Sequence, residues 1–423
     1  MSAWEKKAFV MTVGTGNRSE PDRVTSLLEA LERSIRDARP DRTVLLASKD
    51  SLENAERIQA DLPQGDTVRV ETLTNANDYE ATFRDAVDVL RGLWREGFEP
   101  RQIDVNYTSG TKAMSVGLAF AALDFGCASL HYIAGDRPTG TVAGGTEQFI
   151  QRAPERIRAS AELRIALRLL ADLQFVAARR LVGTINGDLF DDYGRRLHAD
   201  LKRLVEVYAN WDKFDHTAAN EGYRKPDPDL RELTEFAVSN SARRPLTEMA
   251  ERPEELTENK LADLWGNAER RVREGKYDDA VARLYRLTEM VAQFQLARRH
   301  GIDTSNVETK ALPTSLPQEA RAWLAEKAKG SKKIQLGLRD AYSLLAYLDD
   351  PLGHEMPRFG ESGTALTTLL EKRNGSILAH GFTPITPADA ENLAGEVKRL
   401  AALVVPDFAE RCAQLQFPWL VRG

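Results

Sequence analysis

IDVNYTSGTKAMSVGLAFAALDF, residues 103–125, joins a short apolar run to an amphipathic stretch through a loop of small polar residues. The run IDVNYTS favours a β-strand because it alternates β-branched and polar residues. After the loop, one apolar stripe of a helix is formed by residues at i, i+4, i+7 and i+11, namely Met114, Leu118, Ala121 and Phe125. The stretch therefore predicts a strand followed by a helix that packs on a sheet.

Four further apolar runs extend this pattern over the first 150 residues. They are AFVMTVG (8–14), TVLLAS (43–48), VRVETL (68–73) and SLHYIAG (129–135). A second helical stripe lies between two of them and consists of Phe83, Val87, Leu90 and Trp94. Alternation of short strands with helices predicts an α/β domain, Rossmann-like, with a mostly parallel and doubly wound sheet.

Beyond about residue 155 the strand signals nearly vanish, and helical stretches such as 159–182 and 277–296 replace them. The polar, proline-bearing segments around 224–255 favour a boundary near residue 260. We therefore expect three domains: an α/β domain at 1–155, a helical linker domain at 156–260 and an all-α domain at 261–423. QFVAARRLV and KYDDAVARLY share a pattern of small and aliphatic residues, which is too weak to establish a repeat.

Composition limits the classes of protein that fit this chain of 423 residues. Two distant cysteines, Cys127 and Cys412, indicate a reducing compartment and no disulfide framework. No apolar stretch approaches the length that spans a bilayer, so a cytoplasmic location without membrane association is expected. A net charge of −6 argues against a generally basic surface, but a local basic cleft remains compatible with it.

Two loops of the α/β domain carry the chemistry of an anion site. Strand one ends in GTGNR (14–18), and the fourth strand ends in TSGTK (108–112), directly before a helix. Backbone amides, hydroxyls and a lysine can converge on a phosphate at such a helix start. The alternative is that Gly110 only makes a turn and Thr111 only caps the helix. A dinucleotide fingerprint is absent, because Ser19 stands where G-x-G-x-x-G requires glycine.

EKRNGSILAHGF, residues 371–382, places an arginine, Arg373, seven positions before a histidine, His380, in a chain with six histidines. The spacing predicts a helix on which these two side chains share a face about 11 Å apart along the axis. A nearby apolar stripe of the same helix consists of Leu366, Leu369, Leu370, Ile377 and Leu378. A purely structural interpretation is that His380 complements the dipole of a helix that Gly381 ends. Against it, Gly375 is costly inside a helix, which suggests close approach of another backbone or a substrate.

Arginine with histidine suffices to cleave RNA without a metal. The ribose 2′-OH attacks the adjacent phosphate while histidine moves a proton and arginine stabilises the charge on phosphorus. No metal ligand set or cofactor is called for by this chemistry. One arginine and one histidine leave half the acid–base roles unfilled, so a second copy in a two-fold dimer is expected to supply them.

The arrangement of Arg373, Asn374, His380 and Gly381 resembles the R-x4-6-H motif of HEPN ribonucleases. The helix LYRLTEMVAQFQL (284–296) is similar to the helix that packs beside that motif in CRISPR-associated members. GTGNR and TSGTK resemble the loops of CARF domains, which sense cyclic oligoadenylates. Sensor, helical linker and HEPN domain, in this order, are typical of the ancillary ribonucleases of type III CRISPR systems.

This resemblance implies a homodimer whose CARF domains bind a cyclic oligoadenylate, of four or six adenylates, as an allosteric activator. The activated HEPN domains would cut single-stranded RNA in antiviral defence, with Arg373 and His380 catalytic and Asn374 supporting them. The residues implied in activator binding are Gly14, Thr15, Gly16, Asn17, Arg18, Asn106, Thr108, Ser109, Gly110, Thr111 and Lys112. The alternative function is a cyclic-oligoadenylate-sensing regulator that binds a partner without cleaving RNA.

Two further features remain open at the level of sequence. Some CARF domains cut their own activator, and Thr15, Asn17 and Asn106 are the polar loop residues that can position a 2′-OH for this second activity. The run AEKAKGSKK (325–333) is basic through four lysines. We interpret it as a solvated loop, and contact with an RNA backbone is the alternative.

Overall fold

A computed structural model describes residues 6–16, 21–62, 67–136, 145–308, 316–356, 365–379 and 381–421. The chain divides into two compact units, Met1–Ala161 and Glu162–Gly423. The sequence predicted three domains, whereas this division gives two units, so the boundary near residue 260 stays a prediction. Among the described residues, none of the helices combines the length and the apolar character needed to cross a bilayer.

The first unit is built on a six-stranded sheet of order β3-β2-β1-β4-β5-β6. Its strands are β1 (Ala8–Val13), β2 (Arg42–Ala47), β3 (Val68–Thr72), β4 (Ile103–Asn106), β5 (Ser129–Ala134) and β6 (Gln148–Arg152). The first five strands are parallel, as the apolar runs predicted, and β6 pairs antiparallel with β5. Sequence patterns missed β6 because QFIQR has only two apolar residues, and it lies at the sheet edge with most of its residues exposed.

Helices cover both faces of this sheet, as a doubly wound fold requires. They are α1 (Pro21–Ala38), α2 (Leu52–Asp61), α3 (Tyr79–Arg95) and α4 (Lys112–Phe125). Alternate residues of β1 enter two separate cores: Phe9 and Met11 pack in the cluster that contains Leu31, and Val10 packs in the cluster that contains Leu118. Because both faces are buried, β1 is apolar at nearly every position, which is why its pattern was readable as a strand.

The order of the strands fixes where a ligand can bind. From β1 the chain first adds β2 and β3 on one side and then β4 and β5 on the other, so the connections change direction between β1 and β4. In open α/β sheets such a change of direction marks the place where a ligand crevice is expected, at the carboxyl ends of the two strands. The loops that follow these two strands contain GTGNR and TSGTK.

The second unit is helical apart from a two-stranded antiparallel sheet, β7 (Val307–Glu308) with β8 (Lys333–Ile334). The helices of the remaining chain are α5 (Glu155–Ala171), α6 (Phe175–Thr184), α7 (Asp192–Trp211), α8 (His216–Tyr223), α9 (Asn240–Glu251), α10 (Glu258–Arg273), α11 (Tyr277–His300), α12 (Gln318–Ala328), α13 (Leu338–Tyr347), α14 (Ala365–Asn374), α15 (Pro387–Val404), α16 (Phe408–Leu415) and α17 (Pro418–Val421). The helical stretch expected at 159–182 is broken into two helices because Leu173 adopts a left-handed conformation, with φ of 62°.

A buried ion cluster joins α7 to α10 within this unit. Asp212, directly after α7, accepts hydrogen bonds from Arg270 Nε at 2.9 Å and from Arg271 at 2.8 Å. The Arg270 guanidinium is fully buried and stacks on the Phe417 ring at 3.9 Å. The segments on either side of residue 260 therefore share one core.

Replacing Arg270 with alanine should lower the free energy of unfolding by about 3–5 kcal/mol, because it removes a buried partner of Asp212 and the stacking on Phe417. Urea denaturation of the whole protein measures this change. Arg273→Ala is the matched control on the same helix, since Arg273 is half exposed and only 3.8 Å from Glu269; a change within about 0.5 kcal/mol is expected. Equal effects of the two substitutions would contradict this role of Arg270.

Candidate functional site

The arginine motif begins at the end of α14. Arg373 and Asn374 are the last two residues of that helix, and residues 375–379 form turns. The expectation of a helix continuing to His380 is therefore wrong, and helical spacing does not describe how Arg373 and His380 are related. His380 itself lies outside the described residues.

Two glycines explain why the helix stops here. A Cβ added to Gly381 would lie 2.2 Å from the carbonyl oxygen of Gly375, a distance that no side chain tolerates. The Gly381 N–H donates to Ser376 O at 3.2 Å, and the Thr383 N–H donates to Gly375 O at 2.9 Å. Another backbone thus approaches Gly375 closely, which is one of the two explanations that its position in the sequence suggested.

Gly381→Ala should destabilise the protein by about 1–3 kcal/mol, because the new methyl group forces the two backbone segments apart. Gly395→Ala is the matched control, since Gly395 lies within α15 and a Cβ there meets no atom within 4 Å. That control should stabilise the protein by about 0.5–1 kcal/mol. Thermal unfolding of both variants tests the contrast, and a neutral Gly381→Ala would show that the close approach is absent in solution.

Arg373 is held by an aromatic ring and keeps donors available. Its guanidinium carbon lies 4.6 Å from the centre of the Tyr285 ring on α11. One terminal nitrogen donates to Asn374 Oδ1 at 3.3 Å. No carboxylate among the described residues pairs with Arg373, and its buried Nε has no acceptor among them. A half-buried arginine without a carboxylate partner suits an incoming phosphate.

The two residues before Arg373 fix this end of α14 to other helices. Glu371 lies 3.5 Å from Arg339 on α13. Lys372 pairs with Asp389 on α15 and, by donating a hydrogen bond, lowers the pKa of that carboxyl; Thr386 adds a second hydrogen bond. Contacts to α13, α15 and α11 from three consecutive residues position the Arg373 side chain.

Apolar side chains next to the motif face solvent. Ile377, Leu378 and Phe382 are 67%, 49% and 89% exposed. The expected apolar stripe therefore does not pack locally at Ile377 and Leu378, because the helix has already ended. Three exposed apolar side chains therefore lie close together in the sequence beside the motif.

A group of polar side chains around one buried carboxylate, Asp350, was not predicted from the sequence. Asp350 is almost fully buried and accepts hydrogen bonds from Gln295 at 2.8 Å and from Arg299 at 3.3 Å, with His300 Nε2 at 3.1 Å. Burial raises the pKa of Asp350, but the hydrogen bonds from His300, Gln295 and the Leu352 amide outweigh it, so the pKa is lowered. The cluster anchors the end of α11, the helix that carries Tyr285.

The basic run has the solvated character expected of it. Its four lysines, Lys327, Lys329, Lys332 and Lys333, are exposed. Lys327 lies 2.7 Å from Asp340, and Lys333 lies 3.3 Å from Glu308. His354, which precedes the motif in the sequence, is also exposed and lies 3.5 Å from Asp349.

The two loops of the first unit come together at the point where the strand order changes direction. The Gly14 N–H donates to Ser109 Oγ at 3.0 Å, and Thr12 Oγ1 donates to the Ser109 carbonyl. A Cβ on Gly14 would lie 2.6 Å from the amide nitrogen of Gly110. Glycine at position 14 is therefore required for the contact between the loops.

Several candidate side chains at these loops serve internal hydrogen bonds. Asn106 is fully buried, donates to Ser34 at 2.9 Å and accepts from the Thr108 hydroxyl at 2.6 Å. Thr111 caps α4 by accepting from the Met114 N–H at 3.2 Å, as the structural alternative predicted. Thr15 and Gly16 are half-buried, with φ of 66° at Gly16, and Gly110 is exposed with φ of 103°. Asn17 and Arg18 lie outside the described residues.

Lys112 differs from its neighbours. It is the first residue of α4, is exposed, and makes no ion pair or side-chain hydrogen bond with any residue that the structure describes. Two residues that the sequence did not indicate brace the opposite loop: Ser51 donates to Val13 O at 2.7 Å, and Asn54 donates to Gly14 O at 2.9 Å. Hydrogen bonds thus hold the backbone of these loops, and among their described residues Lys112 offers an unpaired cation.

Comparisons with known proteins found a matching family model and similar solved structures. Residues 250–403 match the family model described as Csm6 HEPN domain. The fold is similar to that of Enterococcus italicus Csm6 bound to cyclic hexa-2′-fluoro-hexa-dAMP, with a TM-score of 0.51 and 15% identity over 98% of this chain and 100% of that one. Can2 from Sulfobacillus thermosulfidooxidans in complex with cyclic tetra-adenylate matches with a TM-score of 0.24 and 12% identity, over 50% of this chain and 68% of that one. A search of curated proteins found no match.

The family match covers helices α10 to α14 and nearly all of α15, and it includes Tyr285 and Arg373. The fold match extends over the α/β sheet as well, so it covers both parts of the architecture inferred from the motifs. Residues 250–403 are thus similar to the HEPN domain of Csm6, and the predicted order of an α/β unit followed by a helical unit, the fold of the solved Csm6, is confirmed.

Proposed function

We propose that this protein is a single-stranded RNA endoribonuclease that is activated by a cyclic oligoadenylate and cleaves without a metal. The observation that carries the proposal is Arg373, held against Tyr285 at 4.6 Å with no carboxylate partner among the described residues, inside the HEPN domain. A guanidinium that pairs with no carboxylate is suited to bind the scissile phosphate.

The chemistry assigned to the site is attack of a ribose 2′-OH on its own 3′-phosphate. Arg373 stabilises the negative charge that develops on the phosphoryl oxygens. His380 moves the proton, taking it from the 2′-OH or giving it to the departing 5′-oxygen. Asn374 orients Arg373 through its side-chain oxygen, 3.3 Å from the guanidinium. The products are a 2′,3′-cyclic phosphate and a free 5′-hydroxyl.

A metal-independent reaction can be tested directly. RNA cleavage by the whole protein, with activator present, should be unchanged in excess EDTA, and the fragments should end in 2′,3′-cyclic phosphates. Loss of cleavage in EDTA that Mg²⁺ restores would overturn the metal-free mechanism. Fragments ending in 5′-phosphate would contradict attack by the 2′-OH.

A second copy of the chain completes the site in this proposal. One copy supplies only one histidine to the motif, whereas proton removal and proton donation require two groups or one group used twice. The exposed cluster of Ile377, Leu378 and Phe382 gives the two copies an apolar contact beside the motif.

Phe382→Asp should reduce RNA cleavage about fivefold or more, because a buried carboxylate at the contact between copies would cost more than a kcal/mol. Cleavage rates at several protein concentrations, with sedimentation analysis, measure this effect. Ile165→Asp places the same charge on another exposed apolar residue, which is 48% exposed on α5, and should leave cleavage unchanged. Equal losses in both variants would argue against a contact at Phe382.

The activator is assigned to the crevice between the loops after β1 and β4. The amides of Gly14 and Gly110 lie near each other there, and Lys112 offers a free cation to a phosphate. The structurally similar Csm6 from Enterococcus italicus was solved with a cyclic hexanucleotide, which makes cyclic hexa-adenylate the first ring to test, with cyclic tetra-adenylate beside it.

Slow cleavage of the activator is a secondary activity that these loops can support. Thr15 is half-buried in the loop after β1, and Asn106, at the end of β4, is buried with its amide already hydrogen-bonded to Ser34. Direct positioning of a 2′-OH therefore falls to Thr15 and Asn17 in this proposal. Incubating labelled ring with a Thr15→Val variant would leave the ring intact if Thr15 acts, and unchanged ring loss would exclude it.

A further inference from the structure

A cavity of about 570 Å³ lies in the second unit. It is bounded by the start of α6, the turn after α7, the end of α10 and the beginning of α11. Its volume falls in the range of about 300–1,000 Å³ that is usual for small-molecule sites. Neither the HEPN motif nor the two loops of the sheet contribute residues to it.

Positive charge dominates the lining. The cationic residues are Arg180, Lys213, Arg271, Lys276 and Arg283, and the acidic ones are Asp212 and Glu274. Five cations against two acids leave an excess of three positive charges, in a chain whose net charge is −6. The cavity is therefore a local basic site on an acidic protein.

The two acids are already neutralised by neighbouring cations. Asp212 accepts hydrogen bonds from Arg270 and Arg271, and Glu274 lies 2.9 Å from Arg271 and 2.7 Å from Lys276. These pairs account for the buried charge at the base of the cavity. They leave no acidic group of the lining free to bind a further cation.

Two cations of the lining remain free. Arg180 and Lys213 are exposed and make no ion pair or side-chain hydrogen bond with the residues that the structure describes. Arg283, by contrast, pairs with Asp279 at 3.1 Å. Free cations that line a concave site, rather than a convex surface, are available to hold an anion.

The start of α6 adds to the positive electrostatic potential of the cavity. Phe175, Val176 and Ala177 of its first turn line the cavity, the first turn has no acidic side chain, and Gln174 makes no side-chain cap hydrogen bond. Free N–H groups at such a helix start favour anions. Arg180 lies on the second turn of the same helix.

The weak pattern shared by QFVAARRLV and KYDDAVARLY acquires a structural meaning here. Each stretch starts a helix directly after a left-handed residue, Leu173 with φ of 62° and Gly275 with φ of 71°. The two turns face each other, with Gln174 Nε2 donating to Glu274 Oε1 at 3.2 Å. The two stretches that share this pattern therefore form two sides of the same cavity.

An aromatic ring completes the lining. Phe214 is half-buried in the turn after α7, next to Lys213, and also borders the cavity. Aromatic side chains beside cations are the combination that binds nucleotides, since the ring stacks on a base while the cations bind phosphate. We propose that this cavity binds a phosphorylated nucleotide, with Arg180 and Lys213 on the phosphates and Phe214 against the base.

The ligand chemistry can come from a free nucleotide or from the 5′-phosphorylated end of an RNA. Titration calorimetry of the whole protein with ATP and with the dinucleotide pApA distinguishes these sources. Tighter binding of ATP indicates a free nucleotide, and tighter binding of pApA indicates an RNA end. Inorganic tripolyphosphate is the third probe. It should bind more weakly than ATP, and equal binding would overturn the contact between Phe214 and the base.

The decisive variant is the double substitution Arg180→Gln with Lys213→Gln. It should weaken binding of the tighter nucleotide at least about tenfold, because two charge-assisted contacts to phosphate are lost. Lys202→Gln is the matched control, since Lys202 is exposed on α7 and does not line the cavity; its affinity should equal that of the wild type. Equal unfolding temperatures without ligand establish that all variants are folded.

Undiminished binding in the double variant would overturn the site. So would the absence of binding of all three probes to the wild type at millimolar concentration and low salt. Because the readout is binding and not RNA cleavage, failure of this inference leaves the proposed ribonuclease activity untouched, and failure of that activity leaves the cavity intact.

Discussion

Arg373→Ala is expected to lower activated RNA cleavage by about 10²–10³-fold, the usual loss when a group that stabilises transition-state charge is removed. The guanidinium has no carboxylate partner among the described residues, so its removal leaves no buried charge uncompensated. The loss should therefore appear in kcat while the unfolding temperature stays close to that of the wild type. Single-turnover cleavage of a fluorogenic RNA at saturating activator measures it.

Lys372→Gln is the matched control for this prediction. Lys372 precedes Arg373 and carries the same charge, but its ammonium group is committed to Asp389 on α15. Its loss should reduce cleavage far less than the loss of Arg373. Comparable reductions in both variants would show that the end of α14 is simply misplaced and that Arg373 has no special role.

The contact with Tyr285 adds a finer test of the same site. Tyr285→Phe keeps an aromatic face beneath the guanidinium and should retain activity, whereas Tyr285→Leu loses the cation–π contact, worth about 0.5–2 kcal/mol. A kcat that falls only with leucine identifies Tyr285 as a positioning residue. Equal activity in both variants would show that the ring does not orient Arg373.

Lys112→Gln is expected to raise the concentration of cyclic oligoadenylate needed for half-maximal activation by about 10- to 100-fold. Lys112 begins α4 and has no ionic partner among the described residues, so it is available to an activator phosphate. The maximal rate at saturating activator should stay unchanged because the HEPN domain is intact. Activation curves at several salt concentrations measure both quantities.

Arg95→Gln is the control for Lys112→Gln. Arg95 is exposed at the carboxyl-terminal end of α3, so it lies towards the opposite edge of the sheet from the two loops. The activation curve of this variant should match that of the wild type. An equal shift would mean that the net charge of the unit, rather than Lys112 itself, determines affinity for the activator.

The sequence was sufficient to predict most of the α/β unit. Each of its five parallel strands contributes apolar residues to the cores on the two faces of the sheet, and such runs stand out from the helical stretches. The edge strand β6 has polar and exposed residues, so no pattern distinguished it from a loop. Long-range contacts, such as that of Gly14 with Gly110, could be identified only once the order of the strands in the sheet was known.

The residue types of the arginine–histidine motif in the second unit were recognised from the sequence, but its predicted helical geometry was wrong. Leucine-rich residues before Arg373 favoured a continuous helix, but the close approach of Gly381 to Gly375 ends it at Asn374. That approach is a tertiary contact, and the helical periodicity of a sequence does not predict such contacts. The supporting residues Tyr285 and Asp350 were not identified for the same reason, since each acts through a partner more than 45 positions away in the sequence.

The most direct test of the central claim is cleavage of a fluorogenic single-stranded RNA by wild-type protein and by His380→Ala, with cyclic tri-, tetra- and hexa-adenylate and without activator. We predict that either the tetra- or the hexa-adenylate stimulates the wild type strongly, and that His380→Ala stays inactive with every ring. Cleavage that no ring stimulates, or that persists in His380→Ala, would contradict an activator-controlled HEPN site.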